Sequence, residues 1–367
     1  MLDALAAVRS RIADIDTQIL ALERSLSALR TERALEQETL DSYKYPVLTA
    51  VPTEIISEIF VQFLPVYPLC PPSTGILSPT VLTQICRKWR EIALETPTLW
   101  RAITLHLYNM PFDRQRHICD FLDRSGCCPL SIRSDDDLDL EPVPVVEIFA
   151  ALISHRSRWE HLDILLSPSQ LRAIDGPMPL LRNLHLSLDN NPDPDGIYEW
   201  RGLPLLRSVT LEEYAPSNVI LPWAQLTSLT LNSIFRSEYI AILLYASNLR
   251  CCELGILWQY AIEDNLATPP EITLPGLESL TLVDRNDDWE GLYPDVFVVP
   301  ALRSLCIEES FLAPHPIPAL ASFISKSRSK PQEVCIIGAT ETSDSYRTAF
   351  PAIPTFSVVP REDAADM

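Results

Sequence analysis

A short pattern, Leu-x-x-Leu-x-Leu, usually led by a proline, recurs between residues 160 and 340 and restricts the chain to few possible folds. It reads PLLRNLHLSL around Leu184, LPLLRSVTL around Val209, WAQLTSLTL around Leu229, SNLRCCEL around Cys252, LPGLESLTL around Leu280 and VPALRSLCI around Leu305. RWEHLDIL around Leu162 and PQEVCII around Val334 are weaker copies at either end. Successive central positions lie 22, 25, 20, 23, 28, 25 and 29 residues apart. A unit of that size holds one short strand and a return, too little to bury its own apolar face, so copies must stack. The strands then lie parallel, with alternate apolar side chains entering one continuous core. SEYIAILLYAS, with Ile240, Leu243 and Leu244, and IPALASFISKSR, with Leu320, Phe323 and Ile324, are spaced as helical returns, whereas DNNPDPDG reads as a loop. Upstream, RAITLHLYN, DRQRHICDFLDRS and CPLSIRS predict a strand–helix–strand entry unit that caps the first open edge.

Motif and period together resemble the leucine-rich repeat family over residues 105–340. The turn-satisfying Asn or Cys that the family often carries three residues past the last core leucine is replaced by Asp189, Tyr214, Ile234, Leu257, Arg285 and Ser310, which predicts looser turns. Side chains between the core leucines line one side of the stack and form the expected target-binding face: Arg182, Asn183, His185, Arg207, Ser208, Thr210, Thr227, Ser228, Thr230, Glu278, Ser279, Thr281, Arg303 and Ser304. Of these, Arg182, His185, Arg207, Thr210, Thr230 and Arg303 are the leading candidates.

Residues 1–44 have a different rhythm. Leu5, Val8, Ile12, Ile15, Ile19, Leu22, Leu26 and Leu29 step alternately by three and four, which gathers them on one helical seam. The seam weakens at Arg33 and Glu36. Two outcomes fit: a coiled coil joining two copies through residues 5–29, or a long helix packed on its own body.

Between residues 46 and 104, VPTEIISEIFVQFLP begins with Pro52 at a helix's first position, where its missing N–H costs nothing. Ile55, Ile56, Ile59, Phe60, Phe63 and Leu64 follow as a broad apolar stripe. Then come Val81, Leu82, Ile85, Cys86, Trp89, Ile92 and Ala93 at helical spacing, stopped by Pro97. Val-Pro-x-Glu-Ile-Ile-x-x-Ile-Phe, Ile-Cys-Arg-x-Trp-Arg-x-Ile-Ala and Pro-x-Leu-Trp, in that order, resemble the F-box family in its fungal form. That resemblance implies a three-helix module that docks on the Skp-type linker subunit of cullin–RING (SCF-type) ubiquitin ligases. Carried over, the docking residues are Pro52, Ile55, Ile56, Ile59, Phe60, Leu64, Leu82 and Ile85, with Trp89, Leu99 and Trp100 at the core and rim. The usual opening Leu-Pro is Val51-Pro52 here. A proline-rich link from Pro65 to Pro79 is longer than the family's and is placed to reshape or partly cover the docking face.

The expected organisation is therefore α/β: a coiled-coil helix (1–44), a three-helix F-box-like module (46–104), a leucine-rich repeat solenoid of parallel strands with helical or loop returns (105–340), and a flexible tail (341–367). A net charge of −20 argues against nucleic acid and anionic membrane as partners. Nine scattered cysteines without a Cys-x-x-Cys spacing, no sequon and no apolar leader point to an intracellular, reduced protein. His117, Cys119, Cys127 and Cys128 match no zinc knuckle. Asn191, Asp193, Asp195 and Gly196 begin like a calcium loop, but Gly202 stands where a bidentate Glu is needed. No phosphate loop, nucleophile elbow or metalloprotease helix occurs, so the expectation is a non-enzymatic binding protein with no metal and no cofactor. It would hold an unknown target protein, either as a ligase receptor or as a scaffold without a ligase.

Overall fold

The computed structural model describes residues 2–42, 51–105, 112–134, 146–188, 197–212, 219–257, 270–285 and 296–361. The acidic run at 135–141 and the Asn191–Gly196 loop lie outside the described residues. The chain divides into two compact units, residues 1–59 and 60–367.

In the first unit, α1 runs unbroken from Leu2 to Ser42, as expected of a stretch without Gly or Pro. Side chains from Ser10 to Leu40 are exposed on every face, the seam included. α2, Thr53–Phe63, begins in this unit and ends in the next.

The second unit opens with α3 (Pro79–Ile85) and α4 (Arg87–Leu94). Ser78 caps α3, its Oγ accepting the Thr80 N–H at 3.3 Å, and Pro79 sits just inside the cap. Trp100, fully buried on a 3₁₀ turn at Pro97–Trp100, donates from Nε1 to the Ala93 carbonyl at 2.8 Å and meets Phe121 edge to face at 4.8 Å.

Among the described residues, the unit is built on an open, all-parallel sheet of eleven strands, joined by helical returns and by two separate two-stranded pairings, Tyr198–Glu199 with Val219–Ile220 and Ile272–Thr273 with Phe297–Val298. In both chain and spatial order these are β1 (Ala102–Leu105), β2 (Leu130–Ser134), β3 (Trp159–Leu166), β4 (Asn183–Leu188), β5 (Ser208–Glu212), β6 (Ser228–Phe235), β7 (Cys251–Leu257), β8 (Ser279–Asp284), β9 (Ser304–Glu308), β10 (Glu333–Ile337) and β11 (Thr355–Val359). The strand–helix–strand entry is present, with α5 (Phe112–Arg124) between β1 and β2. The motif centres fall in one register: Leu162, Leu184, Val209, Leu229, Cys252, Leu280, Leu305 and Val334 are successive partners. Ile103 and Ile132 extend the row at one edge and Phe356 at the other.

Two residues on, Ile164, Leu186, Leu211, Leu231, Leu254, Leu282, Ile307 and Ile336 make a second buried row. Three residues before each central position from 184 to 305, Leu181, Leu206, Leu226, Leu249, Leu277 and Leu302 form a third. The pairing continues one step into the turn, where the Arg207, Thr227, Arg250, Glu278 and Arg303 amides each bond to the carbonyl at the same position of the preceding repeat.

Several expectations need correction. The tail is ordered through residue 361 and supplies helix Ser343–Ala349 and the last strand, β11. Glu309 pins this segment, accepting the Tyr346 hydroxyl at 2.7 Å and the Thr340 amide at 2.6 Å. The sheet therefore runs from Ala102 to Val359, beyond 105–340 on both sides. In the helix Arg236–Leu243 the buried side chains are Tyr239, Ile242 and Leu243, while Leu244 is exposed, so the helical face is rotated from the one expected. β6 carries an irregularity between Leu231 and Ile234, with Ser233 at φ 58°, which returns Ile234 to the core one residue out of phase.

Leu231, at the middle of the second row, is fully buried. Leu231→Ala is expected to destabilise the fold by about 2–5 kcal/mol, and outward-facing Thr230→Ala by less than about 1 kcal/mol, in urea denaturation. Equal losses at the two positions would contradict the assigned faces.

Candidate docking surfaces

The apolar stripe of the 46–104 segment divides into two classes by helix geometry. Ile55 and Ile59 stand four residues apart on one face of α2 and remain 53% and 57% exposed. Ile56 and Phe60 are rotated by about 100° from them and are buried. Phe60 packs its ring 4.8 Å from that of Trp89. Of the residues assigned to docking, Pro52, Ile55, Ile59 and Ile85 are exposed, and Leu64 and Trp89 are half-covered. Ile56, Phe60 and Leu82 are instead buried, a correction to the expected docking face, whereas Leu99 and Trp100 are buried where core positions were expected. A stripe at i, i+1, i+4 and i+5 spans too wide an arc to face one way, so half of it closes the core.

The proline-rich link is fastened to the outward side of the first strands. The Tyr67 hydroxyl donates to Glu160 Oε2 at 2.9 Å, and the Arg101 guanidinium lies 4.0 Å from the ring centroid. Burial and the bond to Glu160 push the Tyr67 phenol above its usual pKa. Ser131 Oγ donates to the Pro68 carbonyl at 2.6 Å, and Thr104 Oγ1 to the Pro71 carbonyl at 2.9 Å. These contacts fasten the link to the start of the outward sheet face.

From β2 onward the outward face carries a continuous polar network that sequence reasoning reached only at His185. Arg133 Nε lies 3.5 Å from Asp163 Oδ2, and Asp163 Oδ1 lies 3.0 Å from His185 Nδ1. On the other side of the ring, His185 Nε2 stands 3.2 Å from Glu212 Oε1, close enough for attraction but poorly aligned for a hydrogen bond. Glu212 also accepts from Ser187 Oγ at 3.2 Å and from Asn232 Nδ2 at 3.4 Å. Arg285 Nη2 then donates to Asn232 Oδ1 at 3.2 Å, reaching over β7. Gly255 makes that crossing possible, since a Cβ there would stand 2.8 Å from Arg285 Nε. The signal was present in the motif alignment, because Asp163, His185 and Glu212 each directly follow an inward-facing residue of a neighbouring strand.

Thr210 and Thr230 are neighbours in the outward row that contains Asp163 and His185. Arg182, Arg207 and Arg303 instead line the rim where the strands begin, with Arg250 at the same level. Arg182 pairs with Glu160 at 3.1 Å, and Arg207 Nη1 donates to the Leu206 carbonyl at 2.8 Å. The structure thus separates the six candidates into a basic rim and a polar centre.

Among the described residues, no group of three His, Cys, Asp or Glu side chains is arranged to hold a metal ion, and no helix is long and apolar enough to cross a membrane. No protein-family model matches the chain, and no curated protein matches it in sequence.

The bond to Asp163 dominates over burial and raises the His185 pKa. A folded pKa above the unfolded value means the stabilisation is complete below the unfolded pKa and disappears as pH rises through the folded one. The stability difference between the wild type and His185→Gln is expected to be largest near pH 5.5 and to shrink by pH 8.5, an interval bracketing the usual histidine range of about 6.5. A difference that does not vary with pH would show that the ring is not held as a cation.

Proposed function

We propose that this chain is an F-box substrate-receptor subunit of a cullin–RING ubiquitin ligase, with a leucine-rich repeat solenoid that binds the target protein. The observation that carries the reading is the uncovered Ile55–Ile59 pair on α2, within a segment whose three motif pieces follow the F-box order. Exposed aliphatic anchors on a rigid helix are what a partner's apolar groove requires. Ile85, 55% exposed at the end of α3, is a further anchor. Phe60, Leu82, Leu99 and Trp100 are buried within the second unit. The polar network from Arg133 to Arg285 and the rim of arginines serve as the target face, a preorganised array of charges and hydroxyls. Catalysis belongs to partner enzymes, and this chain contributes proximity.

A second reading, an interaction scaffold without a ligase, draws on the polar face alone, since that network needs nothing from the docking helix. The discriminating result is stable co-purification of partners with no linker subunit among them.

Because Ile59 is exposed, Ile59→Lys is expected to leave thermal stability within about 0.5 kcal/mol of wild type. It should nevertheless abolish recovery of the Skp-type linker subunit and cullin in a pull-down. Undiminished recovery by the folded variant would remove α2 as the docking element.

A further inference from the structure

The exposed seam of α1 also carries a recognition code. Val8, Ile12, Ile15, Ile19, Leu22, Leu26 and Leu29 remain 47–69% exposed along one side of the helix. They span 21 residue steps, or about 30 Å at 1.5 Å per residue. So long a contiguous apolar stripe marks an interaction surface. A lone helix also lacks the tertiary packing that usually supports helical structure.

We propose that α1 pairs with the α1 of a second copy of this chain, parallel and in register, as a two-stranded coiled coil over residues 8–29. Ile12, Ile19 and Leu26 take the first core position of each heptad, and Val8, Ile15, Leu22 and Leu29 the second. Ile19 with Leu22 has the β-branched-then-leucine pattern that favours two strands, although Ile12 with Ile15 and Leu26 with Leu29 do not repeat it. The flanking charges select the orientation. In parallel register Arg11 of one helix meets Asp16 of its partner, and two-fold symmetry makes that contact twice. The next flanking pairs, Gln18 with Glu23 and Ser25 with Arg30, bring no like charges together. An antiparallel pairing of the same seam sets Asp16 against Asp16 near its centre and moves the attraction out to positions 9 and 23. Past Leu29 the seam holds Arg33 and Glu36, which would face their own copies, and the apolar zipper ends there. This pairing depends on α1 alone and is independent of the docking role given to α2. A dimer carries two target faces, which favours targets with repeated recognition elements through avidity.

The test uses the full chain in analytical ultracentrifugation over a range of concentrations. The expected species has the mass of two chains, and Ile19→Lys should raise its dissociation constant roughly 100-fold or more. The thermal unfolding of the sheet should not change in that variant. Leu22→Cys should form a disulfide-linked dimer on mild oxidation beyond any seen with the wild type, because in parallel register residue 22 faces its own copy. A monomer at all concentrations, a trimer, or a dimer indifferent to Ile19→Lys would overturn the pairing. A seam-dependent dimer that Leu22→Cys fails to crosslink would overturn the parallel register.

Discussion

One apolar side chain per strand, set directly beside its counterpart on the next strand, is the contact from which the larger unit is built. The row from Ile103 through Leu162, Leu229 and Leu305 to Phe356 fixes the register of all eleven strands, because a slip of one residue would turn every core side chain outward. The rows at Leu186 and Leu206 follow from it by strand alternation and by the turn before each strand. With the inward positions committed to the core, the outward positions are free to carry chemistry. That division of labour places Asp163, His185, Glu212, Asn232 and Arg285 within reach of one another although more than 120 residues separate the first from the last.

Local geometry partitions the smaller helical segment in the same way. α2 exposes Ile55 and Ile59 while Ile56 and Phe60 are buried, so one sequence stripe divides between surface and core. Trp100, bonded to the Ala93 carbonyl and packed on Phe121, ties the end of the segment into the core beneath β1. The link from Pro65 to Pro79 is held by Tyr67, Pro68 and Pro71 along the first three strands, where Ser131 and Thr104 would otherwise present polar atoms to solvent.

Much of the fold was legible because repetition is a strong signal. The motif copies around Leu184, Val209 and Leu229 implied parallel strands stacked one beside the next, and the unbroken apolar spacing from Leu5 to Leu29 implied a helix. Features set by single contacts were not legible. No periodicity announces that Ser233 adopts a left-handed backbone, or that Glu309 gathers Tyr346 and Thr340 and so orders the last strand. The final segment is rich in Thr, Ser and Asp, and its burial rests on Tyr346 and Phe356, too few apolar residues to form a pattern. The docking stripe was read as one surface because spacing reports amphipathicity but not how wide an arc is covered. His185 was found as an outward residue, but its carboxylate neighbours come from other strands and emerge only once the register is applied.

We propose that the outward side of α2 engages a ligase linker subunit while the sheet's polar face stays free for a target. Hydrogen–deuterium exchange of the full chain, with and without a purified Skp-type linker subunit, tests this most directly. Slowed exchange is expected in Thr53–Phe63 and Pro79–Ile85 on adding the linker, with exchange unchanged across β3 to β8. Protection confined to the strands, or none at all at saturating linker, would contradict it.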